Sequence, residues 1–385
     1  MVKRAIEEQI IQNLFKGKAV IIYGPRQVGK TTLVKKIIQQ INIPALWFNG
    51  DEADIRNELT DTNSTKLKAL FGNYKLVVID EAQKIHNIGN TVKLITDTMK
   101  EIQVIATGSS SFDPDSYREA NQINEPLTGR KYEYHLYPFS TGELIKQHGH
   151  FLEEKRLLQH RLQYGFYPEV INNPGREIEI LKLITNSYLY KDILSYQQIR
   201  KPQLVEKLVQ ALALQAGHEV SYNELAQLCG TDNVTIEKYV AYLEQAFVIF
   251  RLPAFSRNLR NELKKARKIY FWDTGIRNAV INNFNAPAMR PDIGALWENF
   301  VVAERLKYNA YRNHYSNNFF WRTTTGAEID YLEDYSGILH AYEIKWNAHA
   351  KVKLNANFAA TYPQHEFEKI NNENYLNFIY AADPR

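Results

Sequence analysis

The sequence contains a single cysteine, Cys229, among its 385 residues. One cysteine excludes an intramolecular disulfide and any zinc site built from several thiolates. Long apolar runs are also missing, because none approaches the roughly 20 residues that span a bilayer. The first ten residues carry charged side chains instead of the apolar stretch of a signal peptide. These absences predict a cytoplasmic protein without a membrane partner.

Strong charge of one sign is absent as well. The net charge is +4, which is too small to indicate a polyanionic partner by itself, so the position of the positive side chains matters more than their total. The composition is 44% hydrophobic and 23% charged, without a low-complexity tract, as in globular proteins. A chain of this length is expected to form two or three domains.

The clearest motif lies near the N-terminus. The apolar run 18–23 predicts a buried strand, and residues 24–31 follow at once with the pattern G-x-x-x-x-G-K-[ST]. Apolar residues then recur at helical spacing until Pro44 ends the helix. A strand, a glycine-rich loop and a helix in this order predict a P-loop that binds a nucleoside triphosphate, most simply ATP, with Mg²⁺. A chance glycine-rich turn is the competing interpretation.

Each residue type in the loop has a chemical reason. Gly24 and Gly29 let backbone N–H groups turn towards phosphate oxygens, and the helix N-terminus adds its dipole. Lys30 is expected to reach the β- and γ-phosphates, and the Thr31 hydroxyl to ligate Mg²⁺. The predicted nucleotide-binding residues are Gly24, Pro25, Arg26, Gln27, Val28, Gly29, Lys30, Thr31 and Thr32.

Two later strand ends supply polar groups. The apolar run 75–79 ends in Asp80 and Glu81, which predicts an aspartate that holds Mg²⁺ and a glutamate that activates the attacking water. The run 103–106 leads into 107–111, where Thr107 or Ser109 is expected to sense the γ-phosphate. An acidic strand cap and a plain Gly/Ser turn are the respective alternatives. Alternating strands and helices predict a parallel sheet with ligands at the carboxyl ends of its strands.

This N-terminal pattern resembles the AAA+ branch of P-loop ATPases. The resemblance implies ATPase activity, with Lys30 and Glu81 as catalytic residues, Thr31 and Asp80 as metal ligands, and a polar sensor at the end of the next strand. It also implies a phosphate-facing arginine, for which Arg130 is favoured and Arg118 is the rival.

The middle of the chain predicts two helical regions. Residues 137–200 read as a helical lid, with helices at 151–162 and 177–194. Residues 201–272 read as short helices and strands that resemble a winged helix, with Ser221 and Glu224 forming a capping box. A basic strip follows the last of these helices: Arg251, Arg257, Arg260, Lys264, Lys265, Arg267 and Lys268, opposed by Glu262. The strip predicts contact with nucleic-acid phosphates, or alternatively a solvated ribbon or a protein-binding surface.

The C-terminal region predicts an α-β-β-β-α-β order: a helix at 295–309, strands at 318–323, 327–332 and 339–346, a helix at 351–361 and a last strand at 376–380. Asp330 and Glu343 on neighbouring strands are expected to hold one or two Mg²⁺ ions, with Glu298 completing the metal shell. Lys345 shares a face with Glu343 and would act as the catalytic lysine. The alternative is an exposed Glu–Lys ion pair.

Over nearly its full length the chain resembles bacterial and archaeal P-loop ATPases that carry an AAA+-like domain, a winged-helix middle and a C-terminal PD-(D/E)xK nuclease-like domain. The resemblance rests on segments 24–32, 76–81, 107–111, 127–130, 270–275, 297–304, 321–330 and 343–345. The proline of the motif's name is missing before Asp330.

The predicted fold is therefore α/β and multidomain. A P-loop parallel-sheet ATPase core occupies 1–136, a helical lid 137–200, a winged helix 201–272 and a restriction-endonuclease-like α/β domain 273–385. The leading functional hypothesis is Mg²⁺-dependent ATP hydrolysis coupled to a nuclease-like domain that acts on or binds nucleic acid, DNA in preference to RNA. The alternative is an ATP-switched regulatory protein, with a protein partner and no cleavage. The oligomeric state stays open.

Overall fold

The computed structural model describes residues 2–109, 127–189, 202–256, 267–323 and 326–380. The chain divides into two compact units. The first comprises Lys3–Tyr137 with Gln245–Phe247, and the second comprises Pro138–Glu244 with Val248–Arg385. The second unit therefore contains most of the last three predicted domains, whose separate boundaries stay predictions.

The first unit is built on a five-stranded sheet in the order β2-β3-β4-β1-β5, and every neighbouring pair is parallel. Its strands are β1 Ala19–Tyr23, β2 Ala45–Asn49, β3 Leu76–Asp80, β4 Gln103–Gly108 and β5 Lys131–His135. Strands β1 and β4 are buried along their whole length, as expected for apolar strands that are covered on both faces. The predicted parallel sheet is confirmed.

Helix α1 Glu7–Asn13 precedes β1. The helices between the following strands are α2 Lys30–Ile41, α3 Ala53–Leu59, α4 Ser64–Phe71 and α5 Ile88–Thr98, with a short 3₁₀ turn at Ala82–Lys84. Helix α2 buries Leu33, Val34 and Ile37, one stripe at helical spacing. It ends at Ile41, because Asn42 adopts a left-handed conformation with φ 53°. The sequence predicted that the helix continues until Pro44, so the turn at Asn42 makes the helix shorter than predicted.

The second unit begins with short helices: α6 Thr141–His148, α7 Phe151–Arg156, α8 Leu158–Tyr164, α9 Pro168–Asn172, α10 Glu177–Leu183 and a π-helical turn Ile184–Leu189. The single helix predicted at 151–162 is wrong, since the chain turns at Leu157 between α7 and α8. The turn lets Leu158 and Leu162 enter the core and leaves Phe151 exposed.

A three-stranded antiparallel sheet follows in the order β6-β8-β7. Its elements in chain order are α11 Pro202–Leu214, β6 Glu219–Val220, α12 Tyr222–Cys229, α13 Asn233–Gln245, β7 Ile249–Pro253 and β8 Arg267–Phe271. Ser221 is the N-cap of α12, and its hydroxyl accepts a hydrogen bond from the Glu224 N–H (3.4 Å), which is one of the two bonds of the predicted capping box.

The C-terminal sheet has the order β12-β11-β10-β9. Its elements are α14 Thr274–Val280, a 3₁₀ turn Pro287–Met289, α15 Ile293–Tyr311, β9 Asn317–Arg322, β10 Glu328–Tyr335, β11 Ile338–Ile344, α16 Ala356–Thr361, β12 His365–Ile370 and α17 Tyr375–Ile379. Strands β9, β10 and β11 are antiparallel neighbours, and β12 pairs with β11 in parallel.

Two predictions in this region are wrong. The last strand is His365–Ile370, and the segment predicted as that strand, 376–380, lies largely in helix α17. Among the described residues, strand β12 lies at the sheet edge with β11 as its one neighbour, so it needs few apolar residues and gives a weak sequence signal. The helix predicted from 351 begins at Ala356, because the Asn355 side chain accepts hydrogen bonds from the first-turn N–H groups.

None of the helices within the described ranges combines the length and the apolar composition that a bilayer crossing requires.

Candidate nucleotide site and a carboxylate–lysine cluster

The predicted P-loop lies at the carboxyl edge of the first unit's sheet, between β1 and α2. A side chain at Gly24 is sterically impossible, since its Cβ would lie 2.0 Å from the Leu136 carbonyl oxygen. Gln27 and Gly29 have positive φ angles of 62° and 91°. Left-handed residues within such a turn point successive N–H groups to one side, which forms a nest for an anion.

Lys30 is buried, and its Nζ donates hydrogen bonds to the carbonyl oxygens of Gly24 (2.8 Å) and Pro25 (2.9 Å). Arg4 supports the same loop, because its guanidinium donates to the Val28 carbonyl (2.8 Å) and to the Tyr137 carbonyl (2.5 Å). Sequence reasoning missed Arg4, since an isolated N-terminal arginine carries no motif.

Asp80 joins the P-loop to the neighbouring strand. Its Oδ2 accepts a hydrogen bond from the Thr31 hydroxyl (2.8 Å), and its Oδ1 accepts one from the Thr107 hydroxyl. Thr107 is fully buried at the end of β4. The structure thus brings together the two predicted Mg²⁺ ligands, Thr31 and Asp80, with one of the two predicted sensor residues.

Glu81, the predicted base, follows Asp80 in a left-handed conformation with φ 50°. Gln83 donates from its Nε2 to Glu81 Oε2 (2.7 Å) and to the Ser109 hydroxyl (3.0 Å). The second predicted sensor, Ser109, is therefore linked to Glu81 through a glutamine. Gln83 was missed, and its only signal was a polar side chain two positions after the acidic pair.

The residues at this edge fit a nucleoside triphosphate with Mg²⁺. The loop offers N–H groups and an ammonium to phosphate, and Thr31 and Asp80 offer the oxygen ligands that Mg²⁺ prefers. Two buried acceptors, Gln27 Oε1 and Gln83 Oε1, have no hydrogen-bond partner among the residues that the structure describes. Unpartnered buried polar atoms are uncommon in folded proteins, and at this edge a bound ligand or water would supply the missing donors.

Arg130 lies at the amino ends of the strands of this sheet, whereas the P-loop lies at their carboxyl ends. It directly precedes β5, and its carbonyl accepts a hydrogen bond from the Ala19 N–H (2.9 Å) at the start of β1. Its guanidinium pairs with Asp97 (2.7 Å), and both side chains are about 40% exposed. A five-residue strand, roughly 16 Å long, separates it from the P-loop. The structure therefore does not bring Arg130 to the nucleotide edge of its own chain.

Arg130 lies far from the P-loop because, in a parallel sheet, the residue that begins a strand is at the opposite end from the residues that end the neighbouring strands. The rival, Arg118, and the serines at 110 and 111 lie outside the described residues.

A second group of charged residues lies in the second unit, where β8, β10, β11 and α15 meet. Asp330 Oδ2 accepts hydrogen bonds from Lys345 Nζ (2.9 Å) and from the Ile344 N–H (2.8 Å), and Lys345 also pairs with Glu343 (2.8 Å). Lys345 therefore contacts both of the carboxylates predicted beside it, Glu343 of the same strand and Asp330 of the neighbouring strand. Glu298, the fourth predicted residue, is bound elsewhere in the group.

Lys268 holds Glu298. Its Nζ lies 2.8 Å from Glu298 Oε1 and 2.5 Å from Glu328 Oε1, and the Tyr270 hydroxyl donates to the same Glu298 oxygen (2.6 Å). We call these residues the carboxylate–lysine cluster: Lys268, Tyr270, Glu298, Glu328, Asp330, Glu343 and Lys345. Sequence reasoning missed Tyr270 and Glu328, and it placed Lys268 in a surface strip.

Burial and the neighbouring charges both shift pKa values in the cluster. Desolvation raises the pKa of Glu298 to about 7, and the charge of Asp330 adds to this rise while Lys268 opposes it. Desolvation likewise raises the pKa of Glu343, again with a contribution from Asp330. For Lys345, burial acts to lower the pKa, but Asp330 and Glu343 outweigh burial and raise it.

The predicted three-carboxylate metal shell is not formed. Within the described ranges, no three His, Cys, Asp or Glu side chains come together in a group suited to a metal ion. Glu298 faces Lys268, while Asp330 and Glu343 face Lys345. The residues as arranged do not fit a Mg²⁺ site that uses all three carboxylates.

The described part of the basic strip is engaged within the protein. Lys268 is only 2% exposed, Arg251 pairs with Glu244 (2.5 Å), and the Arg267 guanidinium lies 4.6 Å from the Tyr222 ring centre. The strip residues Arg257, Arg260, Lys264 and Lys265, with Glu262, lie outside the described residues. Lys268 is thus a core residue, in contrast to its predicted place on a phosphate-tracking surface.

Three families of domains match the chain. Residues 16–145 match an AAA domain, residues 155–286 a domain of unknown function, DUF8612, and residues 293–377 another domain of unknown function, DUF4143. The N-terminal part is therefore similar to AAA domains over the segment that contains the P-loop and the two strand ends described above.

Similar proteins span most of the chain. The uncharacterized proteins Mb2031c of Mycobacterium bovis and Rv2008c of Mycobacterium tuberculosis are each 26% identical over 347 residues, which cover 89% of this chain and 74% of theirs. An uncharacterized protein of Haemophilus influenzae is 24% identical over 325 residues, with coverage of 78% and 77%.

Among solved structures, the Thermotoga maritima RuvB Holliday junction branch migration motor matches 68% of this chain and 95% of its own, at 15% identity and a TM-score of 0.32. A mutant form of the same RuvB protein matches with a TM-score of 0.33, at 14% identity over 68% of this chain and 94% of its own. At these TM-scores and identities the similarity does not assign a fold or a function to this chain.

Proposed function

We propose that the chain binds ATP with Mg²⁺ at the P-loop and hydrolyses it. The contact between Asp80 and the Thr31 and Thr107 hydroxyls carries this proposal, because it joins P-loop, acidic strand and sensor strand at one edge. When bound, Mg²⁺ would neutralise charge that develops on the phosphates. Thr31 and Asp80 are the residues that would hold it.

The remaining residues have separate tasks. Lys30, at the mouth of the loop, exchanges its contacts with the Gly24 and Pro25 carbonyls for phosphate oxygens. The Glu81 carboxylate orients the attacking water and accepts its proton. Gln83 fixes the direction of that carboxylate by its bond to Glu81 Oε2 and its second bond to Ser109.

ATP turnover by the purified chain tests this proposal. Lys30→Ala and Glu81→Gln are each expected to lower turnover at least about a hundredfold, while only Lys30→Ala weakens nucleotide binding strongly. Lys35→Ala is the matched control, because Lys35 is an exposed lysine on the same helix. Turnover that persists at the wild-type level in Lys30→Ala contradicts the proposal.

We further propose that the nucleotide cycle serves a second unit that binds nucleic acid, DNA in preference to RNA. The order of α11, β6, α12, α13, β7 and β8 resembles a winged helix, and α15 with β9 to β12 resembles the nuclease-like arrangement inferred from the sequence. A protein partner is the competing assignment. Stimulation of ATP turnover by DNA, falling with salt, supports nucleic acid over protein.

The carboxylate–lysine cluster favours the version of this proposal without metal-dependent cleavage. Two lysines neutralise carboxylates that a nuclease site would offer to metal, and Glu298 is bound by Lys268. Incubation of the protein with plasmid, single-stranded DNA or RNA in Mg²⁺ or Mn²⁺ is expected to give no cleavage. Cleavage that disappears in Asp330→Asn restores the nuclease hypothesis.

A further inference from the structure

Lys268 is more deeply buried than Lys345, the other lysine of the cluster. Its side chain is 2% exposed, whereas that of Lys345 is 37% exposed. Its backbone lies in the middle strand of a three-stranded sheet, opposite Glu219 on one side and Leu252 on the other. The ammonium also lies 5.5 Å from the Phe320 ring centre. Lys345 has room to move into solvent, and Lys268 has none.

The ammonium of Lys268 bridges carboxylates from two different elements, Glu298 on α15 and Glu328 on β10. A further hydrogen bond from Tyr270 engages Glu298 Oε1, and a methyl group at position 217 would lie 3.7 Å from the same carboxylate. The carboxylate is therefore enclosed and already paired. A buried carboxylate is stable only with such a partner, because desolvation of an unpaired charge is costly.

We propose that Lys268 is a built-in cation that takes the place of a divalent metal ion between Glu298 and Glu328. Glu298 is then withheld from metal binding, and the cluster accepts at most one ion, at Asp330 and Glu343 after Lys345 moves aside. The inference rests on the nuclease-like assignment for the roles of Asp330 and Glu343, and it deepens that assignment by naming the residue that sets the metal count.

Charge explains why a lysine and a metal ion exclude each other here. The cluster contains four carboxylates, Glu298, Glu328, Asp330 and Glu343, and two ammonium groups, Lys268 and Lys345. A divalent ion near Glu298 would face the fixed positive charge of Lys268 at close range in a poorly solvated place. Removal of that charge alone is expected to create the missing affinity.

Calorimetric titration of the nucleotide-free full chain with Mn²⁺ tests the inference. Lys268→Met keeps the apolar stem, removes the charge, and is expected to tighten Mn²⁺ binding by roughly tenfold or more, or to add one ion to the stoichiometry. Lys353→Met, at an exposed lysine outside the cluster, is the matched control. Any Mn²⁺ binding at the P-loop is common to wild type and variants, so it is removed when their titrations are compared.

A second substitution identifies the ligand. Glu298→Gln is expected to change Mn²⁺ affinity less than about twofold in the wild-type background and to reverse the tenfold gain in the Lys268→Met background. A gain that survives Glu298→Gln overturns the inference, as does a strong loss of Mn²⁺ affinity caused by Glu298→Gln in the wild type. The comparison of Mn²⁺ affinity between wild type and Glu298→Gln tests the inference even if Lys268→Met does not fold.

Thermal unfolding supplies an independent readout. Lys268→Met is expected to unfold at a lower temperature than wild type, and Mn²⁺ is expected to restore that temperature in the variant more than it raises it in wild type. Loss of stability without restoration by Mn²⁺ means that Lys268 is only a structural residue and overturns the inference. If wild type takes up no Mn²⁺ that Asp330→Asn removes, the metal-binding role that the nuclease-like assignment gives to Asp330 and Glu343 fails, while the Lys268→Met result still decides the inference about Lys268.

Discussion

Thr107→Val tests whether the hydroxyl at the end of β4 positions the Asp80 carboxylate. Thr107 is fully buried, and valine keeps its shape while removing the hydrogen bond to Asp80 Oδ1. Asp80 then keeps only the Thr31 hydroxyl among the two side-chain donors described above. The substitution therefore isolates one bond to a carboxylate at the nucleotide edge.

A hydrogen bond to a charged group contributes about 1.5–3 kcal/mol, more than the roughly 1 kcal/mol of a neutral one. Thr107→Val is thus expected to lower the free energy of unfolding by about 2 kcal/mol. Because the carboxylate loses one of its fixed donors, ATP turnover is expected to fall on the order of tenfold to a hundredfold, which corresponds to a similar energy in the transition state.

Thr91→Val is the matched control. Thr91 is also buried in the first unit, but its hydroxyl donates to the Leu59 carbonyl (2.8 Å), a neutral acceptor outside the nucleotide site. Urea unfolding and steady-state ATP turnover are measured for both variants. Thr91→Val is expected to lose about 1 kcal/mol of stability and to keep its turnover. Equal turnover in Thr107→Val and Thr91→Val refutes the role given to Thr107.

Three further substitutions test other contacts. Gln83→Ala is expected to slow ATP turnover several-fold without loss of nucleotide affinity, because Glu81 loses the donor that directs it; a change in affinity alone contradicts this. Arg130→Ala is expected to leave turnover of the isolated chain within twofold and to cost at most about 1 kcal/mol, since its ion pair is exposed; a large loss of turnover at every protein concentration would place it at its own P-loop. Asp292→Asn leaves the buried Arg277 without its carboxylate and is expected to cost about 3 kcal/mol at neutral pH. Burial opposes the Asp292 carboxylate, but hydrogen bonds from two arginines outweigh it and hold the pKa at about 2, below the ordinary 3.8. Its contribution is present above about pH 4 and is lost as the pH falls through 2, so the stability gap to Asp292→Asn must narrow over that range.

The nucleotide site could be predicted from sequence because its chemistry is local. Gly24 to Thr31 are contiguous in the chain, and Asp80, Glu81 and Thr107 lie in or directly after the last positions of apolar strands. Once the strands are parallel, their ends meet at one edge without further information. The same rule, applied to the start of β5, would have placed Arg130 at the far edge.

The carboxylate–lysine cluster could be predicted only in part. Glu343 and Lys345 share a strand face, and Asp330 lies in the neighbouring strand, so their contact follows from local spacing. The position of Lys268 depends on how β8 packs against α15, thirty residues further along the chain. Its basic neighbours indicated a solvated strip, and nothing in the spacing predicted that Lys268 is buried.

The close approach between Gly24 and the Leu136 carbonyl means that Gly24 is expected to be required for folding, whereas Lys30 is expected to be required for nucleotide binding. Leu136 directly follows β5, and its N–H donates to the Tyr23 carbonyl (2.7 Å), so the space denied to position 24 is set by the strands themselves. A saturation mutagenesis screen that scores growth or ATP turnover would rank position 24 beside Lys30. The two positions would separate only in a screen for folding without nucleotide, where Lys30 tolerates replacement and Gly24 does not.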